Sequence, residues 1–423
     1  ISALGETFTP VDADGNYLYN SITSPDNRCV KQADSWRDSL GAFEVFKITG
    51  MPVHPSFTLN KIMWLRDEMP EVYRRIWKCL LWPDLIWLKL GLEPTIDWTL
   101  AGRTMAFDVV NKEWSPRMHE TARISPDVWG RPVPSGTILG AIPAKGCEEV
   151  GLPRGVLAVA GGHDQPMNAL GAGIIEPGMA VDGMGTVECI TVAFEEPVLN
   201  ENMMRNNFCC YPHTVPDMYA SIAFTYSSGS VLRWYRDNFA LLEKQQARAR
   251  DVDVYDLILS DLPDEPTGVF VVPYFSGSGT PYLDPLAKGI IAGLDLTVDR
   301  KKLVKAIIEG ICYELNLNIL TLAEAGVNID RLRATGGGSK SAYWLQLKAD
   351  ITGKEVVTLN VTESGCLAGA ILGGVARGVY ASIPEAVATL VRERQAFHPD
   401  PAKHRAYAAL FEEYRVLWPR VRG

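Results

Sequence analysis

Gly155-Val-Leu-Ala-Val-Ala-Gly-Gly-His-Asp-Gln165 lies in the middle part of the 423-residue chain. The apolar run Val156 to Ala160 predicts a buried strand. Two glycines end it, and His163, Asp164 and Gln165 follow just before a helix-like segment, Met167 to Leu170. An acid at the C-terminal end of a buried strand is where α/β enzymes place catalytic groups. Asp is also a good helix cap, and the stretch alone leaves both readings open. Downstream, Gly178-Met-Ala-Val-Asp-Gly-Met-Gly-Thr-Val187 reads as a hairpin with small residues at its turn.

Length and composition bound what surrounds this stretch. A chain of 423 residues exceeds one compact core and predicts two domains. With 47% hydrophobic and 22% charged residues it has the make-up of an ordinary globular protein. The net charge of −9 argues against a nucleic-acid partner, which needs a concentrated basic surface. The eight cysteines form no CxxC pair and the six histidines no HxxxH spacing, so the sequence offers no zinc site. Free thiols in a chain of this length point to a reducing, cytoplasmic setting. The segment Ile76 to Leu92, with Trp77, Trp82 and Trp87, is broken by Lys78, Pro83, Asp84 and Lys89. It falls short of the roughly 18 apolar residues a membrane span needs and reads as a pair of core helices.

Taken in order, residues 1–153 open with a tight turn at Asp12-Ala-Asp-Gly15 and an apparent strand from Leu18 to Thr23. The pattern turns helical from Ala33. Ser56 to Glu68 carries Leu59, Ile62, Met63 and Leu65 on one face, and more helix is expected on both sides of Pro83, from Val72 to Trp87. Trp129 to Pro143 reads as an irregular connection, and a domain boundary is expected near residue 153. In the second region a polar loop covers Asn200 to Asn207, and a long helix runs from Leu303 to Ala325. A strand, Asp330 to Ala334, leads into Thr335-Gly-Gly-Gly-Ser-Lys-Ser341 and the helix Ala342 to Ile351. Three glycines between strand and helix allow backbone to approach a flat or charged ligand, with free amides facing a nucleotide. The run is neither GxGxxG nor a P-loop, and a flexible turn is the alternative. The small-residue helix Gly365 to Gly374 reads either as tight helix packing or as a second close approach.

Two longer motifs carry a family resemblance. In Ser56-Phe-Thr-Leu-Asn-Lys-Ile-Met-Trp-Leu-Arg-Asp-Glu68 they are Ser56, Thr58, Lys61, Trp64, Asp67 and Glu68; the second joins Gly289-Ile-Ile-Ala-Gly-Leu294 to Leu303-Val-Lys-Ala-Ile-Ile-Glu309. With Gly162-His-Asp-Gln165, Gly185-Thr186, Asp284-Pro285 and Gly336-Gly-Gly-Ser-Lys-Ser341 in the same order, the chain resembles the FGGY carbohydrate kinases. These belong to the actin, hexokinase and Hsp70 superfamily. One position departs, Lys302, where the family has an acid, an amide or His.

The resemblance implies an α/β fold of two ribonuclease-H-like, actin-like ATPase domains flanking a cleft. Residues 1–153 would be a partial sugar-binding N-terminal domain and residues 154–423 the ATP-binding C-terminal domain. It implies transfer of phosphate from ATP, with Mg2+ bridging the phosphates, to a hydroxyl of a sugar or polyol. Asp164 matches the catalytic base. Gly5, Glu6, Thr7, Phe8, His163, Asp164 and Gln165 match the sugar side. Gly185 and Thr186 match a phosphate loop, and Gly336, Gly337, Gly338, Ser339 and Ser341 the adenosine loop. No metal-ligating residue is assigned, and a homodimer is expected. No DxGT or DxGS occurs in the chain, so the family's first phosphate loop is expected in about seventy residues preceding Ile1. Xylulose kinases carry Met-His where Glu6-Thr7-Phe8 stands, and glycerol kinases carry Arg-Glu, of which only the Glu has a counterpart. Both comparisons argue against those sugars and leave a pentulose, a hexulose or another polyol. The alternative is a catalytically silent sugar- or nucleotide-binding relative with a regulatory role. An acetate-type kinase is disfavoured by the complete Ser56 to Glu68 motif.

Overall fold

The computed structural model describes residues 1–422. They fall into two compact units, each built from separated pieces of chain. The first comprises Ile1–Pro177, Val192–Ser221 and Glu363–Val391; the second comprises Gly178–Thr191, Ile222–Thr362 and the residues from Arg392 on. The single cut read near residue 153 falls inside the first unit. There the strand Leu157–Val159 pairs antiparallel with Ile138–Ala141, which ties the chain on both sides of that point together.

The first unit is assembled from short strand pairs and helices. Phe8–Val11 pairs antiparallel with Lys78–Leu81, Thr95–Asp97 parallel with Arg131–Val133, and Ser2–Ala3 parallel with Gly162–His163. Two expectations are corrected here. Lys78–Leu81 is a strand rather than helix, and Pro83 lies in the first turn of the helix Trp82–Lys89 instead of interrupting one. Proline suits that place because its missing N–H is one of the helix's unpaired donors anyway. The stretch Trp129 to Pro143 is not structureless, since it holds the strands Arg131–Val133 and Ile138–Ala141. The region Leu18 to Thr23 makes a single isolated bridge, from Ile22 to Phe8. The polar loop at Asn200 to Asn207 contains a short helix, Glu201–Arg205, capped by Asn200.

Other elements follow their sequence patterns. The helix Thr58–Glu68 buries Leu59, Ile62, Met63 and Leu65, each burial contributing about 2 kcal/mol. The small-residue helix Ser364–Ala376 packs on Asp164–Gly171 through Ala368, Ile371 and Leu372 against Met167 and Leu170. Ala368, Ile371 and Leu372 thus serve helix packing, while a Cβ on Gly369 or Gly373 would meet nothing within 4 Å.

Most strands of the second unit belong to one mixed sheet. Three of its adjacent strands run Met179–Met184, Arg331–Thr335, Glu355–Leu359 in space. Met179–Met184 and Glu355–Leu359 both lie parallel to Arg331–Thr335, and Glu393–Phe397 closes that edge antiparallel. The helix Arg300–Glu324 starts on Asp299, whose carboxylate accepts from Lys302 N–H at 2.8 Å. It is the one helix among the described residues long and apolar enough to cross a membrane, and 89% of that apolar window is buried inside the protein.

Candidate active site

The parallel pair Ser2–Ala3 and Gly162–His163 sets Ala3 opposite His163. The segments that follow, Gly5-Glu6-Thr7 and Asp164-Gln165, therefore leave from the same end of the pair. Asp97 ends the strand Thr95–Asp97 and caps the next helix, Trp98–Gly102, accepting from Thr99 N–H and Leu100 N–H. The Thr99 hydroxyl donates to Asp97 and accepts from His163 N–H at 2.6 Å. A side chain at Gly162 would break this junction, because a Cβ there would stand 2.8 Å from Thr214 Cγ2 and 3.0 Å from Thr99 Oγ1.

Glu6 is held at φ 59°, a left-handed conformation that costs a non-glycine residue about 1–3 kcal/mol. The helix Thr58–Glu68 imposes it. Thr58 Oγ1 donates to the Glu6 carbonyl at 3.0 Å, and Lys61 Nζ to the same carbonyl at 3.4 Å and to Thr23 O at 2.9 Å. Three residues apart, the two side chains share a helix face. Burial lowers the Lys61 ammonium to about 8, against the opposing pull of Glu6. The Ser56 to Glu68 motif thus mounts the Gly5–Phe8 loop from below. Thr7 and Phe8 serve the same mounting: the Thr7 hydroxyl accepts from Ser24 N–H at 3.1 Å, and Phe8 is fully buried.

The Glu6 carboxylate pairs with a residue the sequence did not single out. Arg103 Nε donates to Glu6 Oε1 at 2.5 Å, and Nη2 pairs with the same oxygen. The guanidinium lies 5.3 Å from the ring centroids of both Phe57 and Tyr211, with Nη1 3.6 Å from Met51 Sδ. Gly5 gives this arginine room, since a Cβ there would stand 3.2 Å from Arg103 Cβ and Cγ. Tyr211, Thr99 and Asp97 were also missed. Asp97 carried the one available signal, an acid followed by an apolar helix.

His163 Nδ1 lies 3.0 Å from the Tyr211 hydroxyl, and Nε2 lies 3.3 Å from Asp164 Oδ1. Burial, then the charge of Arg103, holds this imidazole neutral. The arrangement suits the tautomer that donates from Nε2 to Asp164. Asp164 is the first residue of its helix; the capping position belongs to His163, which makes no side-chain cap. The Asp164 side chain is 38% exposed, so its carboxylate can meet a ligand. Burial and then Glu6 push it up to about 6, against the lowering effects of Gln165 and Arg103.

In the second unit the hairpin turns at Gly185-Thr186. Gly185 N–H donates back to Gly183 O and Val187 O, at 3.2 and 3.0 Å. The Thr186 carbonyl accepts from Ser228 N–H and Ser230 N–H, both at 3.2 Å, and Thr186 Oγ1 accepts from Arg233 Nη2 at 2.9 Å. Thus Gly185 uses its amide within the turn. The Thr186 N–H makes no hydrogen bond among the described residues and is free for a ligand oxygen. Behind the turn, fully buried Lys348 pairs with both Asp182 and Glu188, one on each strand of the hairpin. Ser228 Oγ donates to Glu188 Oε2 at 2.6 Å. Burial pushes the Asp182 carboxyl up, with Lys348 opposing the shift.

The three glycines divide their work. A Cβ on Gly336, whose φ is 82°, would stand 2.7 Å from Met184 O, and one on Gly338 2.9 Å from Met184 Cβ. Around Gly337 nothing lies within 4 Å, so it alone of the three faces open space. Ser339 Oγ donates to Gly336 O at 2.7 Å, and Ser341 caps the helix Ala342–Thr352, accepting from Trp344 N–H at 3.3 Å.

Comparison with known proteins finds one family over both parts of the chain. Residues 1–171 match the N-terminal domain, and residues 183–377 the C-terminal domain, of the FGGY family of carbohydrate kinases. The chain belongs to this family. It is a carbohydrate kinase, and its phosphoryl donor is ATP. Among its relatives are a gluconokinase of Bacillus subtilis (30% identical, covering 97% of this chain and 78% of that one) and a xylulose kinase of the same organism (27%, 97% and 80%). Among solved structures, a gluconate kinase from Lactobacillus acidophilus superposes with a TM-score of 0.89 at 22% identity, over 99% of this chain and 83% of that one. As an FGGY kinase, the chain has a two-domain α/β architecture that this superposition reproduces.

Proposed function

We propose that this FGGY kinase phosphorylates a hydroxyl of a ketose or polyol held against Glu6, Arg103, His163 and Asp164, with Asp164 as general base. The observation that carries the reading is the Asp164 carboxylate: partly exposed, at the end of a strand pair, and raised toward neutrality beside a paired arginine. Phosphoryl transfer is mainly positioning and charge neutralisation. As the substrate oxygen forms its bond to the γ-phosphorus and the bond to ADP breaks, Asp164 accepts the hydroxyl proton. His163, neutral and bonded through Nε2, keeps that carboxylate oriented.

The donor side of the reading rests on the second unit. Thr186 N–H would meet a phosphate oxygen, with Arg233 beside it, and Gly337 would leave room for the nucleoside. No group of three or more His, Cys, Asp or Glu among the described residues is arranged as a metal cage. In kinase sites Mg2+ is held largely by phosphate oxygens and water rather than by a protein cage. Bound there, the ion would neutralise phosphate charge.

The relatives carry the names of two different sugars, one a neutral ketose and one an aldonate, so they bracket the acceptor without choosing it. The test is ATP consumption by the purified protein over a panel of pentuloses, hexuloses, polyols and aldonates. Saturable turnover on at least one ketose or polyol is expected. Measurable sugar binding with no turnover on any of them would overturn the reading.

A further inference from the structure

The charges around Asp164 decide more than the base. Three carboxyl groups stand at this end of the first unit, Glu6, Asp97 and Asp164, against two cations, Arg103 and Lys61. Both cations are already engaged within the protein. Arg103 gives Nε and Nη2 to Glu6, lies against Phe57 and Tyr211, and turns Nη1 to Met51 Sδ. Lys61 is fully buried and divides its ammonium between two backbone carbonyls. The two imidazoles, His54 and His163, are both held below the ordinary histidine range by burial and carry no positive charge near neutral pH.

We infer that this site selects uncharged polyhydroxy substrates, ketoses or polyols, and rejects sugar acids of the same length. The inference rests on the reading of this end of the first unit as the acceptor site. Two physical arguments meet in it. Carboxylates only accept hydrogen bonds, whereas each sugar hydroxyl can donate to one, so a site at the partly exposed Asp164 carboxylate, with Glu6 buried behind it, matches hydroxyls and opposes another carboxylate. An uncompensated like charge a few ångströms away in a partly buried site weakens binding by on the order of ten- to a hundredfold. A substrate anion would also raise the Asp164 carboxyl further, leaving less of it ionised to accept the proton.

The experiment measures equilibrium binding of D-xylulose, D-fructose and xylitol against D-xylonate and D-gluconate by calorimetry without nucleotide, with ATP turnover followed in parallel. At least one neutral compound should bind tenfold or more tighter than the acid of equal carbon number. Asp164→Asn and Glu6→Gln, each removing one negative charge, should narrow that ratio by tenfold or more, and the first keeps the Glu6–Arg103 pair intact should the second disturb the fold. Tighter binding of either acid by the wild type would overturn the inference, as would a ratio unchanged in Asp164→Asn or no binding of any neutral compound. Retained turnover in Asp164→Asn would instead overturn the base assignment while leaving the charge preference to be judged from the binding ratio.

Discussion

Asp164 must be ionised to take a proton, and its carboxyl is pushed up to about 6, first by burial and next by Glu6, with Gln165 and Arg103 pulling the other way. A base that works deprotonated loses activity as pH falls through that value. The expected profile of kcat/KM is a plateau above about pH 7, half-maximal near pH 6 and falling toward tenfold per pH unit below about pH 5. Rates measured from pH 5 to 8, with folding checked at each point, test this; a flat profile down to pH 5 would contradict it. Asp164 was legible in sequence because it follows an apolar run that ends in two glycines, whereas Glu6 was reached through the family resemblance alone. Arg103 was reached by neither. It pairs with Glu6 across 97 positions, and nothing local distinguishes it from any other arginine.

At the scale of elements, the phosphate hairpin and the glycine loop are one packed assembly in the second unit. Gly336 and Gly338 lie against Met184, and Lys348 ties both hairpin strands to the helix that follows the loop. Gly336→Ala is expected to destabilise the protein by about 1–3 kcal/mol, since it adds a Cβ at positive φ against Met184 O. Gly337→Ala should leave the melting temperature within about 2 °C and raise the KM for ATP several-fold, because its side chain enters open space. Thermal melts and ATP kinetics on the two variants separate packing from ligand contact; equal melting losses would contradict the division. The hairpin, the Ser56 to Glu68 helix and the glycine loop were readable from period and turn chemistry. Lys78–Leu81 was not, because a short strand whose Cys79, Leu80 and Leu81 are all buried has the same apolar run as a core helix. The strands within Trp129 to Pro143 escaped for a related reason: three- and four-residue strands are fixed by distant partners rather than by their own sequence.

At the scale of the whole molecule, each unit gathers pieces from distant parts of the chain. Met167 and Leu170 are covered by Ala368, Ile371 and Leu372, so a fragment spanning Ile1–Pro177 would expose that face. It should show no cooperative thermal transition, and Ile371→Ala in the full chain should cost about 2–5 kcal/mol by urea melt. A cooperative melt of the fragment would contradict the discontinuous division and favour a cut nearer residue 153. The family was legible because its motifs keep their order along the chain, whereas this interleaving of segments leaves no local mark. The central claim is that Asp164 is the base of a carbohydrate kinase. It is tested most directly by Asp164→Asn assayed on the best acceptor of the panel, with turnover and binding of a neutral sugar measured side by side. The account predicts a loss of about 10²–10⁴-fold in kcat with sugar affinity within about threefold of wild type. Turnover within tenfold of wild type would contradict it.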